Sequence, residues 1–263
     1  MRKVVLSLVS IAFLGCGAAD VGEESESVDE ARLAVQPGGG LLPDLRTVVP
    51  RQMNIQNTQQ GEWLRFSNGV ANNGVGPLRL RPGPVVDGHQ AAIQEILDAN
   101  GNIVQEATVS NFEFHESHNH WHIDNVARYE VRSGALNGPL VGSSIKVTYC
   151  LIDWYRLDGG QKKGMVYWDC ATSYQGISPG WVDQYHHSLP DQEVEMTGSA
   201  PGLYYLVSTA NPNATFIESD TTNNTAWVSF NFTRDSQGNP KITETGHSAC
   251  ETPGLCGDYA PNR

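Results

Sequence analysis

Short runs of alternating apolar and polar residues recur along the chain from residue 43 onward. They are rich in β-branched and aromatic residues, and turn signals such as Asn72-Asn73-Gly74 and Asn100-Gly101 separate them. Period-two alternation indicates strands with one face on a core, and long stretches of helical period are few. The predicted strands are 43–49, 63–70, 78–81, 93–97, 103–105, 145–151, 193–196, 203–207 and 226–232. The pattern predicts an all-β protein, an antiparallel β-sandwich with long active-site loops, in which 43–49 is an edge strand.

One connection in this pattern is too long for an ordinary turn. Residues 153–185 carry three tryptophans and several tyrosines among glycine and proline. Long loops on a rigid sandwich are where binding and catalysis tend to be placed. We therefore expect residues 153–185 to form an active-site loop.

A dense histidine cluster lies in residues 114–122, where His118, His120 and His122 alternate along the chain. On a strand, side chains at i, i+2 and i+4 project to one face, so three imidazoles would converge on one point. Imidazole suits copper, zinc, iron or nickel, and three ring nitrogens leave a position open to water or substrate. The alternative is a solvated histidine patch that picks up metal only incidentally.

The neighbours of this cluster are predicted from the same alternation. His115 precedes His118 by three residues, so its parity places it on the opposite face, in a supporting or structural role. Trp121 is expected to face away from the ligands, and residues 123–131 to continue the strand.

The chain begins with a basic pair followed by an apolar run too short to span a membrane. Arg2 and Lys3 precede the apolar residues 4–14, a pattern typical of a secretory signal. The protein is therefore expected to be exported. The segment Leu14-Gly15-Cys16 also resembles the lipobox of bacterial lipoproteins, in which the cysteine carries the lipid. An outer-membrane lipoprotein, anchored only at its N-terminus, and a freely secreted extracellular protein both stay open.

Composition divides the chain into four parts. After the predicted signal at 1–16, residues 17–40 are rich in Glu, Ser, Asp, Ala and Gly, which predicts a disordered tether. Residues 41–235 form the predicted catalytic domain, and residues 236–263 a C-terminal extension with a disulfide. The formal net charge of −12 becomes more negative once the two cations of the signal are removed. Nucleic acid is therefore not expected as a partner, whereas cationic amines would be attracted.

Four cysteines remain when Cys16 is assigned to the lipid anchor. An even number in an exported domain implies disulfides. Of the three possible pairings, proximity favours Cys150–Cys170 and Cys250–Cys256. The competing interpretation is that some of these thiolates bind the metal.

Three separated motifs resemble those of a known family. Residues 112–122 follow the pattern aromatic-Glu-aromatic-His-x-x-His-x-His-aromatic-His. Residues 146–153 follow Lys-x-x-x-Cys-Leu-x-Asp, and residues 175–185 follow Gln-Gly-x-Ser-Pro-Gly-x-x-Asp-x-Tyr. Across residues 43–232 the chain resembles the catalytic domain of the lysyl oxidases, the copper-dependent amine oxidases of the extracellular matrix, in a bacterial version.

The resemblance implies a copper site and a cofactor that the protein makes from its own side chains. The copper ligands would be His118, His120 and His122, and the cofactor lysine tyrosylquinone would form by joining Lys146 to oxidised Tyr185. The implied reaction takes a primary amine, peptidyl lysine or a small alkyl-amine, and molecular oxygen. Its products are an aldehyde, ammonia and hydrogen peroxide.

A general base is also needed to remove a proton from the amine substrate. Asp124 has the strand parity of the predicted ligands and is the candidate base. His186 and His187 adjoin Tyr185 in sequence and are rivals for that role. A surface location stays open for each of the three.

The resemblance further implies calcium, held between an N-terminal Asp-Leu and a late Glu-x-Asp-x-x-Asn-Asn. The matching residues here are Asp44, Leu45, Glu218, Asp220, Asn223 and Asn224. Carboxylate, amide and carbonyl oxygens are the ligands that calcium prefers. The alternative is a turn rich in Asn and Asp before the last strand.

The chain departs from the animal members of that family at several positions. Ser117 replaces a cysteine, and Cys150 lacks its nearby family partner, so the resemblance implies that Cys150 and Cys170 bond to each other. Ile145 replaces a histidine, and the segment after His122 is one residue shorter. Two other classes stay open, a non-catalytic metal-binding sandwich displayed on a surface and a calcium-stiffened adhesion module.

Overall fold

The computed structural model describes residues 39–116, 119–144, 148–160, 163–170 and 174–257. The predicted signal at 1–16 and nearly all of the predicted tether at 17–40 lie outside the described residues, as do His118 and Lys146. Within the described ranges, no helix is long and apolar enough to cross a membrane.

The described residues form strands and one short 3₁₀ helix at Pro253–Cys256. In chain order the strands are β1 (Leu45–Thr47), β2 (Arg51–Thr58), β3 (Gly61–Asn72), β4 (Leu78–Val86), β5 (His89–Leu97), β6 (Ile103–His115), β7 (His120–Asp124), β8 (Ala127–Ser133), β9 (Leu140–Ser143), β10 (Thr148–Tyr149), β11 (Tyr155–Arg156), β12 (Gln175–Ile177), β13 (Trp181–Tyr185), β14 (Glu193–Glu195), β15 (Gly202–Ala210), β16 (Thr225–Arg234) and β17 (Pro240–His247). This composition confirms the predicted all-β class.

The strands pair into three antiparallel sheets. The first is built on β3, which pairs with β1 and β13 towards its C-terminal end and with β2 and β14 towards its N-terminal end. The second has the order β10-β7-β6-β5-β4-β12, and the third β17-β16-β15-β8-β9. The predicted edge position of β1 is confirmed, as is the hairpin that turns at Asn100-Gly101 between β5 and β6.

Alternating strand faces supply the core between the sheets. On β16 the side chains of Val228, Phe230 and Phe232 are fully buried, whereas Asn231 and Thr233 between and beyond them are exposed. Burial of each such side chain contributes about 1.5–3 kcal/mol to folding. Residues from all three sheets meet in one continuous hydrophobic cluster, so the sheets hold one another in place.

Two predicted strands, the one that continues from the histidine tract and the one at 145–151, are shorter in the structure than predicted. The strand was expected to continue from residue 123 to 131, but β7 ends at Asp124 and β8 starts at Ala127 in another sheet. Asn125 between them has φ of 59°, a left-handed conformation that breaks a strand and that asparagine tolerates better than most residues. Likewise, only Thr148–Tyr149 of the predicted strand 145–151 is strand among the described residues.

The predicted active-site loop at 153–185 is partly regular. It contributes β11, β12 and β13, which pair with strands of the first and second sheets. The carboxylate of Asp153, fully buried, accepts hydrogen bonds from the backbone N–H of Val166 (2.8 Å) and of Ser178 (2.8 Å). These contacts tie the start of the segment to its middle and to the residues before β13. The pairing of β13 with β3 places Tyr185 at the end of a strand instead of in a loop.

The residues of the predicted C-terminal extension pack onto the rest of the fold. β17 pairs with β16 along its length, and the Val49 N–H donates to the Leu255 carbonyl at 2.8 Å. The predicted disulfide Cys250–Cys256 is confirmed, with 5.4 Å between the Cα atoms.

Candidate metal centre and adjoining cavity

The histidine tract forms a β-hairpin between β6 and β7. Asn119, with φ of 55°, donates its backbone N–H to the His115 carbonyl at 2.7 Å and closes the turn. The register places His115 opposite His120. Directly opposed residues of an antiparallel pair share a face, so His115 lies on the same face as His120 and His122. The parity argument for His115 was wrong because the turn reverses the chain.

Two of the predicted metal ligands are brought together at the distance that a shared ion requires. The Nε2 atoms of His120 and His122 lie 2.8 Å apart, and His122 is almost fully buried. Two nitrogens that bind one divalent ion at about 2.0–2.1 Å, at adjacent coordination positions, lie about 3 Å apart. The donor pair therefore fits a metal ion, and the third predicted ligand, His118, lies outside the described residues.

A third side chain fixes how the His122 ring is turned. The Thr148 Oγ1 lies 3.1 Å from His122 Nδ1 and 3.0 Å from His115 Nε2. The rings of His115 and His122 also stack, with centroids 4.2 Å apart. With Nδ1 of His122 directed to Thr148, Nε2 is the nitrogen that faces His120.

The other face of the hairpin is aromatic. Trp121 points away from the histidines, as predicted, and meets Phe114 edge to face at 5.4 Å. Both rings are more than a third exposed, so this face is only partly covered by the rest of the fold.

The predicted cofactor tyrosine lies at the end of β13, beside the metal tract. The Tyr185 hydroxyl donates to the Cys150 carbonyl at 2.6 Å, and the ring meets Tyr149 edge to face at 4.9 Å. Burial raises the pKa of Tyr185 well above its ordinary value, and the neighbouring Asp183 carboxylate adds to that rise. The phenol is therefore neutral at physiological pH.

His120, His122 and Tyr185 open onto one cavity of about 610 Å³. The described residues that line it are His120, His122, Cys150, Ile152, Trp154, Cys170, Asp183, Gln184, Tyr185, His186, Leu189 and Pro190. Apolar side chains make up much of this wall, and among the described residues that line it Asp183, with 2% of its surface exposed, is the one carboxylate. An apolar pocket with a few polar groups at one end is the usual form of a small-molecule site.

The predicted disulfide Cys150–Cys170 is confirmed, with 5.6 Å between the Cα atoms. Both cysteines line the cavity. The bridge ties the chain immediately after β10 to the segment at 163–170, so the two walls of the cavity are covalently joined.

The three candidate bases occupy different surroundings. The Asp124 carboxylate accepts hydrogen bonds from the backbone N–H (2.8 Å) and the side-chain amide (3.0 Å) of Asn125, and the residue is not part of the cavity wall. His187 also lies off the wall, with its Nδ1 3.4 Å from the Asn54 amide nitrogen. His186 lines the cavity, and its Nδ1 is 2.8 Å from the Ser188 hydroxyl.

Sequence reasoning gave no role to Asp183 or Thr148. A signal for Asp183 was available, because it precedes Tyr185 by two residues on β13 and so shares its face. Thr148 could not have been singled out, since its contacts join residues 26 and 33 positions away.

Most of the predicted calcium residues meet at the start of β1, where Asp44 and Leu45 contact residues 218–224. Glu218 accepts hydrogen bonds from the Leu45 N–H (2.8 Å) and the Asn224 side-chain amide (2.7 Å), and Asp44 accepts one from the Asn223 amide (2.9 Å). The side-chain oxygens of Asn223 and Asn224 are buried without a hydrogen-bond partner. Buried oxygens of this kind fit a hard cation, because leaving them without a partner costs free energy.

Asp220, the remaining side chain of the predicted set, is exposed. Its Oδ1 accepts hydrogen bonds from the Thr222 N–H (2.8 Å) and hydroxyl (2.7 Å), and these hydrogen bonds lower its pKa. Desolvation raises the pKa of the more buried Glu218, against the hydrogen bonds that it accepts. A cation beside Glu218 would offset that desolvation.

Together the three antiparallel sheets and the His120–His122 pair define an all-β protein with a candidate metal centre beside a cavity lined in part by Tyr185. The sequence model of the lysyl oxidase family matches residues 93–239, more than half of the chain. The chain belongs to the lysyl oxidase family.

Curated relatives carry the same family name or a related one. The chain is 32% identical to human lysyl oxidase homolog 1 over 123 residues, which is 46% of this chain and 21% of the relative. It is 31% identical to lysyl oxidase homolog 2 of Xenopus tropicalis over 163 residues, 61% of this chain and 17% of the relative. Human protein-lysine 6-oxidase is 31% identical over 124 residues, 47% of this chain and 28% of the relative. The match thus spans about a fifth of the first relative's length.

Proposed function

We propose that the protein is a copper-dependent amine oxidase of the lysyl oxidase type. It would convert a primary amine, oxygen and water to an aldehyde, ammonia and hydrogen peroxide. The observation that carries this proposal is that the His120 and His122 nitrogens and the Tyr185 ring line one cavity. The relatives named protein-lysine 6-oxidase support the reaction class.

Copper would be held by His118, His120 and His122. The 2.8 Å between the Nε2 atoms of His120 and His122 supports a shared ion, and the Thr148 contact to His122 Nδ1 supports binding through Nε2. When bound, copper would supply the redox chemistry with oxygen that oxidises Tyr185.

Lysine tyrosylquinone would be made from Tyr185 and Lys146. The choice of Tyr185 as the precursor is supported by its place in the cavity wall and by the hydrogen bond that its hydroxyl donates to the Cys150 carbonyl at 2.6 Å. Lys146 rests on its motif, with Thr148 two residues later lying beside His122. The cofactor's carbonyl would supply the electrophile with which a primary amine condenses.

The chain's own residues would bind the amine and move its proton. The apolar wall of Ile152, Trp154 and Leu189 excludes water from an alkyl chain, and Asp183 offers the amine's positive charge a partner. His186 is the best placed of the candidate bases because it lines the cavity. It would take the substrate's proton at Nε2 in the tautomer whose Nδ1 carries the ring proton and donates it to the Ser188 hydroxyl.

The test is mass spectrometry of the copper-reconstituted, oxygen-exposed protein together with a peroxide assay on simple alkyl-amines. We expect a peptide that joins Lys146 to Tyr185 and amine-dependent peroxide release, both lost in Tyr185→Phe. Tyr205→Phe is the matched control, because Tyr205 packs on Trp227 and lies outside the cavity wall. Separate, unmodified peptides with copper bound would reject the oxidase in favour of a non-catalytic metal-binding protein.

We also propose that Asp44, Leu45, Glu218, Asp220, Asn223 and Asn224 hold calcium. Two buried amide oxygens beside two carboxylates support this. Leu45 would contribute its carbonyl oxygen, and Asp220 would have to turn from its contact with Thr222.

Export is the proposed location. The two disulfides support it, because such bonds persist in oxidising compartments. Lipid attachment at Cys16, and with it an outer-membrane location and a bacterial source, stays a prediction, since Cys16 lies outside the described residues.

A further inference from the structure

Thr148 contacts both His115 and His122 and belongs to β10, a different strand from either. Its hydroxyl oxygen lies 3.1 Å from His122 Nδ1 and 3.0 Å from His115 Nε2, and the residue is 94% buried. β10, which carries Thr148, pairs with β7 through Thr148–Asp124 and Tyr149–Ile123. Because Thr148 is buried and its backbone is paired with β7, the position of its hydroxyl is fixed by the sheet.

We propose that Thr148 is the positioning residue of the metal centre, which fixes the His122 ring for metal binding through Nε2 and keeps His115 out of the ligand set. This inference rests on the metal site of the proposed function and gives a positioning role to Thr148 and an acceptor role to His115, neither of which is among the proposed ligands or bases. The Thr148 hydrogen bonds are expected both before and after metal is bound, and they do not depend on formation of the cofactor.

The direction of each hydrogen bond follows from the capacity of the three groups. A neutral imidazole carries one proton, so His122 that binds metal through Nε2 carries its proton on Nδ1 and donates it to Thr148. The threonine hydroxyl then has its own proton to donate, and in the proposed arrangement that proton goes to His115 Nε2, the second ring nitrogen within hydrogen-bond distance.

The consequence for His115 is specific. Its Nε2 lone pair is used by the Thr148 hydroxyl, so the same nitrogen is not available for metal although the ring stacks on His122 at 4.2 Å. His115 then carries its own proton on Nδ1. Four histidines in one short tract thus provide three predicted ligands and one acceptor that orients a ligand through Thr148.

Thr148→Val keeps the shape of the side chain and removes the hydroxyl, and Thr148→Ser keeps the hydroxyl. Both are to be made in a Tyr185→Phe background, and Cu(II) affinity measured by competition with a chromophoric chelator. We expect Thr148→Val to weaken Cu(II) binding by about 10–100-fold, the usual effect of losing a hydrogen bond that orients a metal ligand. The Cu(II) affinity of Thr148→Ser should stay within about threefold of that of the parent. Thr108→Val, at an exposed threonine of β6, is the matched control.

Two spectroscopic measurements separate positioning from general stability. The Cu(II) electron paramagnetic resonance spectrum should change in Thr148→Val and be restored in Thr148→Ser. In the Zn(II)-loaded protein, nitrogen-15 NMR should find His115 with its proton on Nδ1, a measurement that needs no variant and survives if Thr148→Val does not fold.

Each outcome decides the matter. Parent-like Cu(II) affinity and spectrum in Thr148→Val, or a His115 protonated on Nε2 or bound to the metal, would overturn the inference. A parent protein that binds no Cu(II) would instead reject the metal site of the proposed function, so the two failures are distinguishable.

Discussion

Calcium should stabilise the protein against heat, and the effect should depend on Glu218. The side-chain oxygens of Asn223 and Asn224 are buried without a hydrogen-bond partner, and each such group costs about 1–3 kcal/mol. A cation that satisfies both could thus recover roughly 2–6 kcal/mol of gross interaction free energy. Part of that is offset by dehydration of the ion, so the affinity has to be measured.

The stabilisation follows from the calcium concentration relative to Kd. At a hundredfold excess over Kd, binding to the folded state alone adds about 2.7 kcal/mol to the free energy of unfolding. For a domain of this size, about 2–4 °C of Tm corresponds to each kcal/mol, so Tm should rise by roughly 5–10 °C. The assay is a thermal melt at pH 7, followed by circular dichroism, with CaCl₂ against MgCl₂ or EDTA.

Glu218→Gln tests whether the response belongs to this site. Glu218 accepts three N–H groups, from Leu45, Asn211 and Asn224, so its carboxylate is central to the cluster. The variant should lose the calcium-dependent rise in Tm, whereas Glu244→Gln, an exposed glutamate of β17, should keep it. Equal melting temperatures with and without calcium in the parent protein, across a millimolar range, would refute the reasoning from the buried amide oxygens.

Three further predictions concern the fold around the cavity. Cys170→Ser opens a loop of 20 residues and should lower the free energy of unfolding by about 3 kcal/mol in a denaturant titration; no change would contradict this. Burial raises the pKa of Tyr129 to about 12 and raises the pKa of Tyr149 well above its ordinary value, whereas the unfolded value is about 10. Folding therefore favours the neutral phenols, and stability is kept below pH 10 and lost as pH rises beyond it, which absorbance at 295 nm with circular dichroism would follow. Glu95 is 1% exposed between two arginines, so Glu95→Gln should cost about 3–5 kcal/mol in urea, against under about 1 kcal/mol for Glu106→Gln at the exposed end of the same network.

The fold class could be predicted because β-strands leave a local record. Alternation along residues 226–232 corresponds to the buried Val228, Phe230 and Phe232 of β16, and Asn100-Gly101 marks the turn between β5 and β6. The division into three sheets could not be predicted in this way, since it depends on which distant strands pair. The break at Asn125 was missed for a related reason, because apolar alternation continues across it while the backbone does not.

Site residues that share a short motif were easier to predict than their surroundings. His120 and His122 are two residues apart on one strand, and their convergence follows from strand geometry alone. The error at His115 shows the limit of the same rule, which holds within a strand and fails across a turn. Thr148 acquires its role from contacts between strands, which no spacing in the sequence encodes, whereas Asp183 could have been found from its two-residue spacing to Tyr185 on β13.

The cavity is built so that its metal side and its tyrosine side cannot move independently. Tyr149 follows Thr148 in β10 and packs on Tyr185, while Cys150 accepts the Tyr185 hydroxyl through its carbonyl and is bonded to Cys170 through its sulfur. Three consecutive residues thus contact His122, the Tyr185 ring and the opposite wall. The proposed reaction would have to join two side chains of the protein before acting on an amine, and it would need this rigidity because small displacements separate reacting atoms. Loss of the Cys150–Cys170 bridge should therefore impair formation of the proposed Lys146–Tyr185 link more than it impairs copper binding, because two of the proposed copper ligands, His120 and His122, lie on β7.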